Sequence, residues 1–179
     1  MDIKDYIKVY DDVLSQEDIS SIVEDSKRDD CWTKAEVANT QNPGVILDDV
    51  RKTDVMHFDQ SHQSTEMLHQ KNRELCLKYM GEFPDLVLNS SMGHDLLRYE
   101  VGGHFKRHVD YFYGRPRTLS MIYLINDDYE GGEIDLLDGE MVLKPKAGSC
   151  VLFPSGFQYP HEIKPVQSGT RFSIVSWSV

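Results

Sequence analysis

The hydrophobic pattern of this chain changes character near Gly81. Before it, apolar residues recur at helical spacing in two stretches; beyond it they come in short runs broken by Gly, Pro, Asn and Asp. Ser15 precedes Gln16, Glu17 and Asp18, a capping residue followed by acidic side chains in the first turn, where the helix dipole favours them. Ile19, Ile22 and Val23 add an apolar stripe, so a helix is predicted from there, fading over residues 27–30. A second helix is predicted over residues 65–80, with Met67, Leu68, Leu75, Cys76 and Tyr79 on its apolar face. Residues 6–14 alternate as a first strand, residues 32–37 as a short one, and residues 45–58 hold at least one more. NTQNPG, residues 39–44, reads as a loop.

After Gly81 the strand-like runs fall at residues 95–101, 105–110, 118–125, 133–137, 140–143, 149–153, 161–166 and 171–178. About eight short strands at this spacing predict a double-sheet jelly roll or a related barrel. The fold class is α+β and mainly β, a double-stranded β-helix with the N-terminal helices packed on one sheet. Residues 1–179 are read as one domain, with 1–90 as mixed helical support and 91–179 as the core carrying the site. There is no internal repeat, low-complexity tract or interdomain linker.

Composition narrows the function. A formal net charge of −11 argues against affinity for nucleic acid or an anionic membrane, both of which reward clustered Lys and Arg. The local cluster Lys106, Arg107, Arg115 and Arg117 reads as a solvated rim. Three cysteines, Cys31, Cys76 and Cys150, with no CxxC, suggest neither a disulfide framework nor a zinc cluster. The first residues lack the apolar core of a signal peptide and no run is long enough to cross a membrane, so a soluble, cytoplasmic protein is expected.

Two stretches spell His-x-Asp: His57-Phe58-Asp59 and His108-Val109-Asp110. On a strand, residues i and i+2 project the same way, as two ligands of one metal must. Only the later copy, in RYEVGGHFKRHVD, enters the strand-rich half, where His161 begins a late strand and supplies a third ligand. Two histidines and one carboxylate on one face of a metal leave the other positions open, the arrangement that suits non-haem Fe(II). At the head of RFSIVSW, Arg171 and Ser173 share a face, and a guanidinium beside a hydroxyl makes a receptor for a carboxylate. His94 and His104 read as surface or turn histidines, His69 as a partly exposed one on the second helix, and the Gly102-Gly103 and Gly131-Gly132 pairs as turn formers.

These segments, RYEVGGHFKRHVD, Arg117 before an apolar strand ending YLIND, GGEIDL, KPKAGSCVLFPS and PHEIKPVQSGTRFSIVSW, together resemble the 2-oxoglutarate and Fe(II)-dependent dioxygenases, in particular their prolyl 4-hydroxylase-like branch. The resemblance covers residues 96–177. It implies that His108, Asp110 and His161 bind iron and that Arg171 binds the far carboxylate of 2-oxoglutarate, with Ser173 and Trp177 nearby. Collagen-type members carry Lys where Arg171 stands, and oxygen-sensing prolyl hydroxylases carry Arg. The family tyrosine that helps hold 2-oxoglutarate has two candidates. Tyr123 precedes Leu124 in the family spelling, but the register counted from Arg117 falls on Leu124, and a one-residue slip reverses the face of a strand. Tyr99, opening the YxxGxxF segment, is the other.

The resemblance further implies Fe(II), 2-oxoglutarate and O2, with ascorbate as an accessory reductant. The activity it implies is oxidative decarboxylation of 2-oxoglutarate coupled to hydroxylation of a prolyl residue in a peptide or protein substrate. Tyr111, Phe112 and Tyr113 are read as lining the substrate entrance or packing beside it. The same chemistry on a free amino acid or small molecule, and a non-catalytic cupin-like metal or ligand-binding module, are the alternatives.

Overall fold

Leu119–Leu124 is buried at every position, so this strand lies inside a layered structure covered on both sides. The computed structural model describes residues 2–28, 31–37, 44–89, 91–111 and 116–179. After a 3-10 turn at Ile3–Tyr6 the elements are β1 (Lys8–Tyr10), α1 (Gln16–Ser26), β2 (Thr33–Lys34), β3 (Arg51–Lys52), β4 (Asp54–Phe58) and α2 (Thr65–Glu82). Strands β5 (Ser91–Tyr99), β6 (His104–His108), β7 (Leu119–Leu124), β8 (Glu130–Gly131), β9 (Ile134–Leu136) and β10 (Met141–Leu143) follow. The chain closes with β11 (Cys150–Pro154), β12 (His161–Ile163), β13 (Val166–Ser168) and β14 (Arg171–Ser178).

A seven-stranded antiparallel sheet in the order β1-β11-β7-β14-β5-β4-β2 packs on a five-stranded one in the order β10-β9-β12-β6-β3, with β13-β8 as a small ribbon. This is the predicted jelly roll. Period-two alternation sorts the large sheet into two faces. Leu97, Tyr99, Ile122, Leu124, Val151 and Phe153 pack toward Ile134, Leu136 and Ile163 of the small sheet. Met56, Leu96, Met121, Tyr123, Leu152 and Ile174 face the other way, against Ile22 of α1 and Leu68, Leu75 and Tyr79 of α2. Each fully buried Leu or Ile contributes about 1.5–3 kcal/mol, so the helix layer holds the sheet's outer face shut and leaves the inner face for the site.

The helices form where the caps dictate. Ser15 Oγ accepts from the Asp18 N–H at 3.1 Å, and Asp18 Oδ2 accepts from the Ser15 N–H at 2.8 Å, a reciprocal capping box. Ser64 makes no such side-chain cap for α2. Instead buried Asp25 of α1 accepts from the N–H groups of Gln63 and Ser64, at 3.1 and 2.9 Å, so one helix caps the next. Val23, expected in the apolar stripe of α1, is exposed; Ile22 carries the contact.

Several boundaries differ from expectation. The first strand is only Lys8–Tyr10, because the Asp2 capping box winds residues 3–6 into a turn and Asp12, at φ 55°, ends the run. The strand over 161–166 splits at Pro165, which has no N–H for a ladder, into β12 and β13. β6 stops at His108, so Asp110 lies beyond the strand and strand alternation is not what brings it beside His108. His94 is not at the surface. It lies buried in β5, with Nδ1 2.6 Å from Ser176 Oγ and Nε2 3.1 Å from Nδ1 of exposed His69. His104, half-buried, heads β6 and bonds Gly102 O in the preceding turn at 2.9 Å. Cys76 and Cys150 are buried, as core residues. Among the described residues no helix is long and apolar enough to cross a membrane.

Candidate active site

His161 heads β12 and pairs in register with His108 at the end of β6, so the antiparallel ladder sets the two imidazoles side by side, ring centroids 4.2 Å apart. Asp110 follows just past the strand, and one ligand atom from each of the three residues lies within 4.8 Å of the others. Asp110 Oδ1 is 3.6 Å from His108 Nε2 and 3.8 Å from His161 Nε2. The remaining ring nitrogens are spoken for: His108 Nδ1 donates to Lys106 O at 2.9 Å and His161 Nδ1 to Tyr159 O at 3.2 Å. This fixes each tautomer with Nε2 open as a ligand. Phe105 stacks on His108 at 3.5 Å and Phe153 meets His161 edge-on at 4.7 Å, which holds both rings in place.

The electrostatics suit a cation. Burial and the neighbouring His161 push the His108 imidazole well below its ordinary value, so it stands neutral and able to ligate. Burial alone would raise the Asp110 carboxyl, but the two imidazoles and hydrogen bonds from Ser120 and Trp177 outweigh it and hold the group below the usual carboxylate range. Ser120 Oγ donates to Asp110 Oδ2 at 2.6 Å, and Trp177 Nε1 donates to the same oxygen at 3.0 Å. Ser155 Oγ lies 2.7 Å from Ser120 Oγ and supports it from behind. Ser120 and Ser155 were not singled out from the sequence, although a serine at an inward position of the apolar run LSMIYLI was the available signal.

Arg171, at the start of β14, is fully buried. Its Nη1 donates to Ser173 Oγ at 2.6 Å and the Tyr129 hydroxyl interacts with the guanidinium, while Nε and Nη2 make no hydrogen bond of normal geometry among the described residues. Two such guanidinium nitrogens in the interior are costly alone, and they form a fork that fits a carboxylate. The guanidinium carbon sits 5.2 Å from the Tyr99 ring, directly across the strand pair. Gly132, at φ 65°, permits this packing, because a Cβ there would stand 2.9 Å from Arg171 Cδ and 3.0 Å from Tyr129 Cε2. Buried Tyr129, also missed in the sequence, thus packs beside Arg171.

Tyr123 does not belong to this pocket. Its side chain lies in the helix-facing core and its hydroxyl donates to Asn72 Oδ1 of α2, while Leu124 points inward. Leu124, where the register counted from Arg117 falls, is thus the inward-facing member of the Tyr123-Leu124 pair. Arg117 is no rim residue either: half-buried, its guanidinium stands 3.5 Å over the Trp177 ring and Nη1 reaches Asp110 O at 3.4 Å. Lys106 and Arg107 are exposed, as expected of a rim. Tyr111 is exposed, and Phe112, Tyr113 and Arg115 lie outside the described residues.

A cavity of about 1100 Å³ joins His108, Asp110 and His161 to Tyr99, Ser173 and Trp177. His57 of the earlier His-x-Asp also lines it, but Asp59 does not. Exposed Asp59 turns away to Ser61 and His62, and the Ser61 hydrogen bonds lower its carboxyl to about 2.

Residues 94–179, the segment that holds the His-Asp-His cluster and Arg171, match the family model described as the 2OG-Fe(II) oxygenase superfamily. A PKHD-type hydroxylase of Rippkaea orientalis is 34% identical over 95 residues, 47% of this chain; the chain spans 42% of that relative's length. Among solved structures, a Pseudomonas putida prolyl-4-hydroxylase superposes with a TM-score of 0.78 at 20% identity, covering 97% of this chain and 91% of that one. A Trichoplax adhaerens prolyl hydroxylase, in complex with a hypoxia inducible factor oxygen degradation domain peptide, gives 0.80 at 17% identity, covering 97% and 83%. At these identities the two structures establish the shared fold.

Proposed function

We propose that residues 1–179 form one catalytic domain, an Fe(II)- and 2-oxoglutarate-dependent dioxygenase that hydroxylates a prolyl residue in a peptide or protein. His108, Asp110 and His161 would hold the iron through two imidazole Nε2 atoms and a carboxylate, the donor set that suits non-haem Fe(II). Arg171 would take the far carboxylate of 2-oxoglutarate through Nε and Nη2, with the Ser173 hydroxyl and the Tyr99 ring beside it. Iron and 2-oxoglutarate, when bound, supply the oxidising chemistry: 2-oxoglutarate becomes succinate and carbon dioxide as one oxygen atom enters a substrate C–H bond.

The protein's own contribution is placement. Ser120 and Trp177 fix the Asp110 carboxylate, and the backbone carbonyls of Lys106 and Tyr159 fix the two rings. The observation that carries the reading is the convergence in one interior of a three-residue metal cluster and a buried guanidinium fork whose Nε and Nη2 make no hydrogen bond of normal geometry among the described residues. The peptide half of the reading draws support from the prolyl hydroxylases among its structural neighbours, one of them bound to a peptide.

The deciding experiment loads the protein anaerobically with Fe(II), then follows O2-dependent succinate release from 2-oxoglutarate with and without proline-rich peptides, with His108→Ala as control. Peptide-stimulated, His108-dependent release is expected. Stimulation by free amino acids alone would move the substrate to the small-molecule class. Absence of iron-dependent turnover with every substrate would leave a cupin-like binding module.

A further inference from the structure

His57 reaches the cavity with a partner the sequence does not pair it with. His57 and Asp95 face each other across β4 and β5, and both line the cavity that holds the metal cluster. His57 Nδ1 lies 2.7 Å from Asp95 Oδ1, and the Asp95 side chain keeps 24% of its surface open. The floor between this pair and Ser173 is apolar, made of Val55, Leu97 and Val175. An ionised carboxylate accepts up to about four hydrogen bonds, and a carboxylate on an apolar floor is costly until it finds a donor.

The cations around the same cavity are committed elsewhere. Lys34 Nζ bridges Asp54 at 2.6 Å, Arg51 lies 4.5 Å over the Phe105 ring and donates to Glu36 O at 3.2 Å, Arg107 bridges Asp138 at 2.5 Å, and Arg117 lies against Asp110 and Trp177. Among the described residues no lysine or arginine forms a salt bridge with Asp95, or with Glu36 on the same wall. Asp95 and Tyr99 are separated by about 13 Å along β5 at about 3.3 Å per residue. The cavity therefore has two unlike ends, Tyr99 and Ser173 backed by Arg171 at one and, at the other, a carboxylate whose ion pair is with His57. The net charge of −11 steers cationic molecules toward it.

We propose that Asp95, oriented by His57, is a substrate-recognition subsite that takes a cationic group, either a lysyl or arginyl side chain flanking the modified residue of a peptide or the ammonium of a small-molecule substrate. The proposal rests on the reading that this cavity receives the substrate of the oxygenase. Asp95 is a specificity residue and His57 a positioning residue, because the imidazole fixes the carboxylate's direction and leaves its second oxygen for the ligand.

The test titrates Zn(II)- and 2-oxoglutarate-loaded protein with three matched proline-containing peptides, whose flanking residue is Lys, norleucine or Glu, and separately with butylamine. Binding is read by calorimetry and by the His57 imidazole resonances. The Lys peptide is expected to bind about tenfold tighter than the other two and to shift the His57 signals, and Asp95→Asn is expected to erase that preference. Thermal unfolding checks that the variant is folded. Equal binding of the three peptides, or a preference that survives Asp95→Asn, overturns the subsite. In the succinate assay, equal stimulation by all three peptides overturns the subsite and leaves prolyl hydroxylation standing. Butylamine that shifts His57 in wild type but not in Asp95→Asn, with no peptide stimulating succinate release, upholds the cation subsite and sinks the peptidyl reading.

Discussion

The indole N–H of Trp177 donates to Asp110 Oδ2 at 3.0 Å, so the last inward side chain of β14 orients the carboxylate of the metal cluster across the barrel. Ser120 donates to the same oxygen, which leaves Oδ1 turned toward both histidines. Removing one donor frees the carboxylate to rotate. Trp177→Phe and Ser120→Ala are each expected to weaken Fe(II) binding by about 10–100-fold, read by anaerobic titration or by the absorption of a Co(II)-substituted protein. Unchanged affinity in both variants would mean that the carboxylate is positioned by something else.

The Arg171 fork predicts a co-substrate effect separable from the metal. Charge-assisted hydrogen bonds are worth about 1.5–3 kcal/mol each, so Arg171→Gln is expected to raise the Kd for 2-oxoglutarate tenfold or more while Fe(II) affinity stays put. Ser173→Ala, which loses one neutral hydroxyl, is expected to cost about 0.5–1.5 kcal/mol in the same titration. Equal loss of metal and co-substrate binding in Arg171→Gln would point to collapse of the sheet instead.

Much of this was legible because the site residues sit where short-range rules operate. His161 and Arg171 head strands, and Arg171 and Ser173 share a face by period two, so pattern alone grouped them. His108 and Asp110 were grouped for a reason that fails here, since β6 ends at His108 and the turn after it does the placing. What pattern could not give was depth. β7 is buried on both faces, so apolar alternation carries no sign of which face meets the helices, and the sequence does not place Tyr123 on either. The buried place of His94 and the capping of α2 by Asp25 likewise come from long-range packing, which no local window contains.

Tyr123 on the helix side yields its own test. Its hydroxyl donates to buried Asn72, so Tyr123→Phe leaves an amide oxygen without its donor at about 1–3 kcal/mol. A lower denaturation midpoint with unaltered 2-oxoglutarate affinity is expected. The reverse result, normal stability and weakened co-substrate binding, would return Tyr123 to the pocket.

The buried His94 imidazole predicts how stability responds to acid. Burial, with His69 beside it, pushes His94 down to about 4, so it is neutral in the folded protein, whereas in the unfolded chain it takes up a proton below about 6.5. Between those values the unfolded state binds more protons, and stability rises with pH. The contribution is complete above about pH 6.5 and drains away as pH falls toward 4, by about 3 kcal/mol. His108, pushed the same way, adds to the loss in metal-free protein, whereas the lowered Asp110 carboxyl acts only below the ordinary carboxylate range. Urea unfolding of metal-free protein at pH 7 and pH 4.5 should therefore show a large drop in wild type and a smaller one in His94→Gln, whose neutral amide cannot titrate. An identical drop in both would show that His94 binds its proton alike in the folded and unfolded states and that other groups set the acid limit.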